Sequence, residues 1–152
     1  MNEQLRPASI DGPSQRHRSK VIVALLAAVL GVFSAHWWYL GRRYAWLATL
    51  LAVGLMGMAA AAPVWWDTPA FFVLVIPITA GFIESLVFAL KTDAWFDARY
   101  NPGSEQRTRT GWGPVFIAIF STLAGSSALL FMLALIVLHV YKALGWLDGY
   151  VL

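Results

Sequence analysis

The sequence predicts an all-α membrane protein with three or four transmembrane helices and a disordered N-terminal tail. Hydrophobic residues make up 59% of the 152 residues and charged residues only 12%, whereas soluble domains are nearer half apolar and a quarter charged. The chain also contains four long apolar stretches, and most of its tryptophans lie near the ends of these stretches. Lipid is therefore the expected solvent for much of the surface.

The apolar stretches cover residues 21–40, 44–62, 71–90 and 115–140. At a rise of about 1.5 Å per residue, about 20 helical residues cross the hydrocarbon layer. The predicted organisation is a disordered basic tail at 1–19, a helical membrane module at 20–92, a polar connection at 93–112, a further transmembrane helix at 113–141 and a short tail at 142–152. A basic tail before an apolar run also resembles a signal peptide, but no small-residue cleavage site follows the run.

Local signals predict where the helices begin, end and bend. Asp67 or Thr68 is expected to cap a helix that begins at Pro69. Pro77 is expected to kink the third apolar stretch and to free a carbonyl near Thr79. Residues 91–99 have mixed charge with aromatic residues at amphipathic positions, which predicts a short helix on the membrane surface.

The distribution of positive charge leaves two topologies open. If all four stretches cross the bilayer, five basic residues lie on one side and six on the other, out of eleven Lys and Arg. If the first stretch instead dips in and returns, bending around Gly31, Ser34 and His36, then ten of the eleven lie on one side and only Lys142 on the other. The second arrangement follows the positive-inside rule, and it makes the 91–113 connection cytoplasmic.

A motif after the first apolar run resembles the TM-two (two-transmembrane, NINE-type) domain family of small bacterial membrane proteins. The motif residues are Gly31, His36, Trp38, Tyr39, Leu40, Gly41 and Arg42, preceded by Ser19-Lys20. The resemblance extends over about residues 19–100, and it makes Glu84 the counterpart of a carboxylate near the end of the family's second helix. It implies a multi-pass protein of the inner membrane, whereas the extra apolar stretches depart from the family's plain helix count.

Glu84 is the one acid within an apolar stretch. A charge at the bilayer centre costs roughly 2.5–3.5 kcal/mol, so such a residue is a functional candidate by default. One interpretation is structural, with Glu84 reaching Lys91 or Arg42 and fixing helix packing. The other is a titrating group, with His36 as its partner. His36 and His139 can equally be hydrogen-bonding residues at the interface.

A second set of candidates consists of basic residues beside the apolar stretches, which either bind anionic lipid or set topology. They are Arg16, Arg18, Lys20, Arg43 and Lys91. Lipids are therefore the expected partners, together with another membrane protein or a second copy of the chain, and nucleic acid is not expected.

No pattern in the chain is typical of an enzyme, a metal site or a cofactor site, so neither catalytic residues nor cofactors are predicted. The favoured function is a structural or interaction module that binds lipid or a membrane partner. The alternative is a small transporter or channel component with Glu84 as its titrating group.

Overall fold

The structure, a computed structural model, describes residues 17–149, and all of its regular elements over that range are helical. In chain order these are α1 (Lys20–Leu30), a 3₁₀ turn (Gly31–Phe33), α2 (Ala35–Leu40), α3 (Ala45–Ala60), α4 (Pro69–Val73), α5 (Val75–Leu90), α6 (Asp93–Tyr100) and α7 (Gly113–Ala143). The predicted all-α class is confirmed. Most of the predicted disordered tail at 1–19 lies outside the described residues.

The first apolar stretch is a hairpin and not one continuous helix. α1 ends at Leu30, and Ser34 takes the left-handed conformation, with φ 56°, immediately before α2. Near the end of α2, the hydroxyl of Tyr39 accepts a hydrogen bond from the backbone N–H of Ser19, just before α1, at 3.1 Å. The chain therefore leaves one end of the bundle in α1 and turns back towards that end in α2.

α5 is the central helix, and α1 and α7 pack against it. The hydroxyl of Ser85 on α5 donates to the Ala24 carbonyl at 2.9 Å and lies 2.8 Å from the hydroxyl of Ser121 on α7. A Cβ added to Gly31 would lie only 2.6 Å from the Cα of Gly81, so these two backbones touch. Small residues thus let the three helices approach closely, as is typical of packing in membranes.

The third apolar stretch is interrupted at Leu74, between α4 and α5. Thr68 caps α4 by accepting a hydrogen bond from the N–H of Phe71 at 3.2 Å, which confirms one of the two predicted caps. A proline ring clashes with the carbonyl of the residue four positions earlier. For Pro77 that residue is Val73, where α4 ends. The interruption of the helix at Leu74 agrees with the expected effect of Pro77, but the expectation of a freed carbonyl near Thr79 is wrong because the lost bond runs towards the N-terminus.

The helices differ in their capacity to cross a bilayer. Among the described residues, Pro69–Leu90 and Gly113–Ala143 are long and apolar enough to span, whereas Lys20–Phe33 and Ala45–Ala60 are apolar but shorter. The helix predicted over 91–99 is present as α6, which Thr92 caps by accepting from the N–H of Trp95, and its place on the membrane surface stays a prediction. It packs against the ends of α1 and α5 through Phe96, which is fully buried.

The contact between the two glycines gives a direct test of the hairpin. We expect Gly31→Ala to lower the free energy of unfolding by about 1–3 kcal/mol, because its methyl group overlaps the backbone of α5. Thermal or denaturant unfolding of the detergent-solubilised protein, followed by circular dichroism, measures the change.

The matched control is Gly57→Ala in α3, where no described atom lies within 4 Å of the added Cβ. This change is expected to be neutral or to stabilise by up to about 1 kcal/mol through helix propensity. Equal stability of the two variants would show that the two glycines do not touch.

Candidate functional site

Glu84 on α5 lies at the centre of a polar cluster that α2 completes. Its carboxylate contacts Nε2 of His36 and accepts a hydrogen bond from Nε1 of Trp37 at 2.7 Å. Nη1 of Arg42 lies 3.8 Å from the second carboxylate oxygen. The side chain of His36 is 2% exposed, that of Glu84 29% and that of Arg42 41%, so the cluster runs from the interior to the surface.

The turn that follows α2 directs Arg42 onto this cluster. Gly41 adopts left-handed backbone, with φ 69°, and its N–H bonds back to the carbonyls of Trp37 and Trp38. The N–H of Arg42 reaches the same Trp37 carbonyl at 2.9 Å, which completes a glycine-type helix end. The guanidinium of Arg42 then lies over the Trp37 ring, 5.1 Å from its centroid.

This arrangement compensates an acid inside an apolar segment. One carboxylate receives an imidazole, an indole N–H and a guanidinium, so little of its charge is left for lipid or water. Of the three predicted partners of Glu84, His36 and Arg42 contact it. Lys91 does not, because its Nζ lies over the Trp95 ring at 5.5 Å. Nδ1 of His36 is buried without a hydrogen-bond partner among residues 17–149.

A second polar group ties α1 to α6 and to the connection that follows it. Lys20 is 4% exposed, and its ammonium donates to the Lys91 carbonyl and to Asp93 at 2.9 Å. The hydroxyl and the backbone N–H of Thr110 donate to the same Asp93 carboxylate at 2.6 and 2.9 Å. Protein groups therefore occupy the ammonium of Lys20, which leaves it unavailable for lipid headgroups.

The same end of the bundle holds a buried aspartate. Asp97 accepts hydrogen bonds from the side-chain amide of Asn101 and from the hydroxyl and N–H of Thr108. Burial alone would raise the pKa of Asp97, but these donors outweigh it and lower the pKa below its usual value of 3.8. Stability gained from the charged form is therefore present above that value and lost only as the pH falls through the lower, folded-state pKa.

Asp93 behaves in the same way. Burial raises its pKa, while the two bonds from Thr110 and the contact with Lys20 lower it by more, so the net shift is downward. Both carboxylates thus stay charged at neutral pH and hold the 101–112 segment against α1 and α6.

A third group lies at the opposite end of the bundle. Nδ1 of His139 on α7 lies 2.7 Å from Asp67, and Nζ of Lys142 donates to the same carboxylate at 3.5 Å. The hydrogen bond from His139 is the main cause that lowers the pKa of Asp67. His139 was expected to be an interfacial hydrogen-bonding residue, but no sequence signal indicated Asp67 as its partner.

The other motif residues hold the hairpin in place. Nε1 of Trp38 donates to the hydroxyl of Thr49, which in turn donates to the Phe33 carbonyl, so α3 is tied to the bend. Leu40 is buried at 5% exposure in the core. Arg43 lies over the Tyr44 ring at 5.8 Å. Arg16 lies outside the described residues.

Comparison with known proteins supports the resemblance to the TM-two family. The family model described as the TM2 domain matches residues 16–66. This part of the chain, about a third of its length, is similar to the TM2 domain. The match includes the whole hairpin and α3, and with it every motif residue from Gly31 to Arg42. It ends before α5, so for residues 67–100, Glu84 among them, the resemblance stays a prediction.

No curated protein and no solved structure is significantly similar to the chain. Within the part of the chain that the structure describes, no three metal-ligating side chains come together. The match to the TM2 domain therefore supports a membrane protein of this type, and the geometry of this chain must supply the rest.

The contacts of Glu84 predict an energetic coupling between α2 and α5. Glu84→Gln should destabilise the detergent-solubilised protein by about 1–3 kcal/mol, because the charge-assisted bonds to His36 and Trp37 are lost. Glu105→Gln, which removes an exposed acid from the polar connection, is the control and should change stability by less than about 0.5 kcal/mol.

A double-mutant cycle with His36→Gln separates the pair from its surroundings. The two substitutions should be non-additive by at least about 0.5 kcal/mol, because either one alone already breaks the contact. Strict additivity would mean that His36 and Glu84 do not interact.

Proposed function

We propose that this protein is a structural and interaction module of the inner membrane, and that one end of its bundle engages anionic lipid at the cytoplasmic surface. The observation that carries the proposal is the position of the hairpin. The hairpin brings Gly41, Arg42 and Arg43 back to the side of the bundle where α1 begins, next to Arg18 and Lys20. An added Cβ at Gly41 would lie 3.5 Å from the Arg18 guanidinium.

The hairpin supports a topology with three crossings and one re-entrant segment. α1 and α2 enter and leave on one side, and α3, α5 and α7 cross. α3 has only 16 residues, fewer than the about 20 that cross a full hydrocarbon layer. It can still cross, because it does not need to begin at the level of Lys91. Arg42, just before it, contacts Glu84, which lies about two turns, or roughly 10 Å, deeper than Lys91 along α5. α3 therefore begins below the level of Lys91 and reaches the far side beside α4.

Charge follows the same division. Residues 1–20, the arginines at 42 and 43 and the 91–112 segment together contain ten of the eleven basic residues, and Lys142 is the eleventh. Lys142 lies at the far end with Asp67, and Trp66 is stacked beneath its ammonium at 5.2 Å. The positive-inside rule then favours the ten-residue end as cytoplasmic, where anionic headgroups attract basic groups.

The geometry does not favour Glu84 as the titrating group of a transporter. Three side chains already hold its carboxylate, and they supply the charge and hydrogen bonds that a moving ion would have to replace. This supports the structural interpretation, in which Glu84 fastens α2 onto α5.

The topology can be tested with single cysteines, because the chain has none of its own. In oriented membrane vesicles, a membrane-impermeant maleimide should label Arg43→Cys and Ser104→Cys from the same side, and Asp148→Cys from the other. Arg42 is retained in all three variants. Labelling of positions 43 and 104 from opposite sides would rule out the re-entrant hairpin.

The interaction with lipid predicts a local change in lipid composition. When the protein is extracted with its surrounding lipid into copolymer nanodiscs, anionic phospholipid should be several-fold enriched over the bulk membrane, and less so at high ionic strength. Lipid mass spectrometry measures the ratio. Lys142→Gln, at the far end, is the control that should leave the enrichment unchanged.

An unenriched lipid shell around a folded protein would contradict the lipid role. A stoichiometric second protein in the same nanodiscs would instead indicate a protein partner.

A further inference from the structure

A cleft of about 570 Å³ opens at the basic end of the bundle, where the start of α1 meets the ends of α2 and α6. Its walls carry two arginines and a histidine together with aromatic rings. They include His17, Arg18, Trp38, Tyr39, Arg99 and Tyr100. Such a wall suits the headgroup region of a phospholipid, because its cationic donors can bind the phosphate and its aromatic rings can pack against the apolar part next to it.

Arg18 is held rigidly in this cleft. Its N–H donates to the side-chain carbonyl of Asn101 at 2.8 Å, and its own carbonyl accepts from the amide of the same side chain at 3.0 Å. One guanidinium nitrogen donates to the Tyr100 carbonyl at 3.2 Å. The remaining guanidinium N–H groups are thus positioned before any ligand arrives, which lowers the entropy cost of binding.

The positive charge of the cleft is not neutralised by the acids around it. Within residues 17–149, no carboxylate lies within ion-pair distance of Arg18 or Arg99. Asp93 and Asp97 are occupied by Lys20, by the two threonines and by Asn101, and Glu105, which follows Ser104 of the cleft wall, forms an ion pair with neither arginine in the described part of the chain. An anion entering the cleft would therefore meet two guanidinium groups without competing for them.

We propose that this cleft binds the phosphate of an anionic phospholipid, with the guanidinium groups of Arg18 and Arg99 on the phosphate oxygens. The hydroxyl of Ser104, which lies 3.2 Å from Nδ1 of His17, is at the same wall and can bond the polar headgroup beyond the phosphate. Trp38, which is 57% exposed, faces the glycerol and the first carbons of the acyl chains. The assignment rests on the proposed function, because it requires this end of the bundle to lie at the headgroup level.

The size of the cleft favours a lipid over a free ion. Ligand sites of several hundred cubic ångströms accommodate whole small molecules, and a lone phosphate would leave most of this space and the aromatic wall unused. The cleft also lies beside the ends of apolar segments, at Arg18 just before α1 and Tyr39 in the last turn of α2.

The test uses the full-length protein in nanodiscs that contain phosphatidylglycerol and phosphatidylcholine. Native mass spectrometry counts the phosphatidylglycerol molecules that remain bound after release. Arg99→Gln should weaken their retention roughly tenfold, the effect of losing one charge-assisted hydrogen bond. Arg99 is exposed, so this change should leave the fold intact.

Arg107→Gln is the matched control, since it removes the same charge from an exposed position in the same connection that does not line the cleft. It should retain phosphatidylglycerol as the parent does. Arg18→Lys keeps the charge but not the bidentate geometry, and should also weaken retention. Thermal unfolding confirms that each variant remains folded.

Each outcome distinguishes one idea from another. Equal losses in the Arg99 and Arg107 variants would mean diffuse attraction and would overturn the site. Displacement of the lipid by millimolar inorganic phosphate would make the free ion the ligand and overturn the lipid assignment. If the parent protein itself shows no preference for phosphatidylglycerol, the proposed function fails; if it does but Arg99→Gln keeps it, only the cleft is wrong.

Discussion

The fold depends on the place where the backbones of α1 and α5 touch, at Gly31 and Gly81. Because neither residue has a Cβ, the end of α1 can lie directly on the middle of α5. That approach sets the register that brings Ser85 to the Ala24 carbonyl and Lys20 to the end of α5. It also places the left-handed turn at Ser34 beside α5, so that α2 returns across the same helix.

The polar residues follow from that register. A charge surrounded by lipid is costly unless it is paired, and each acid that the bundle places beside apolar segments has partners from another element. Glu84 has α2, Asp93 has Lys20 and Thr110, and Asp67 has α7. Such pairs add little to stability in themselves, but the loss of one partner is expensive, so they fix which segments lie together. These polar contacts therefore specify where the hairpin packs on the bundle.

The sequence was a good guide to the helices and a poor one to their contacts. Hydrophobic length predicted α3, α5 and α7 closely, helix-capping signals predicted the Thr68 cap, and amphipathic placement of aromatic residues predicted helix α6. Periodicity could not decide whether the glycine and serine in 21–40 bend the chain, because both residues also occur inside straight membrane helices. Lys20 resembled a headgroup anchor in the sequence. Its partner Asp93 lies 73 residues away, so no local pattern could connect the two. Glu84 was recognised as unusual, but long side chains left two cations in reach, and only the turn at Gly41 selects Arg42.

The basic end of the bundle thus arises from the fold as much as from composition. A straight first helix would carry Arg42 and Arg43 away from Arg18 and Lys20 and, with all four stretches crossing, would divide the positive charge almost evenly. The bend keeps them with Arg18 and Arg99, and the acids at that end are already engaged by Lys20, Asn101 and the threonines. Two guanidinium groups therefore remain beside exposed aromatic rings where the apolar helices end. A surface of that kind is expected to attract anionic headgroups, and the same glycine contact that shortens α1 is what assembles it.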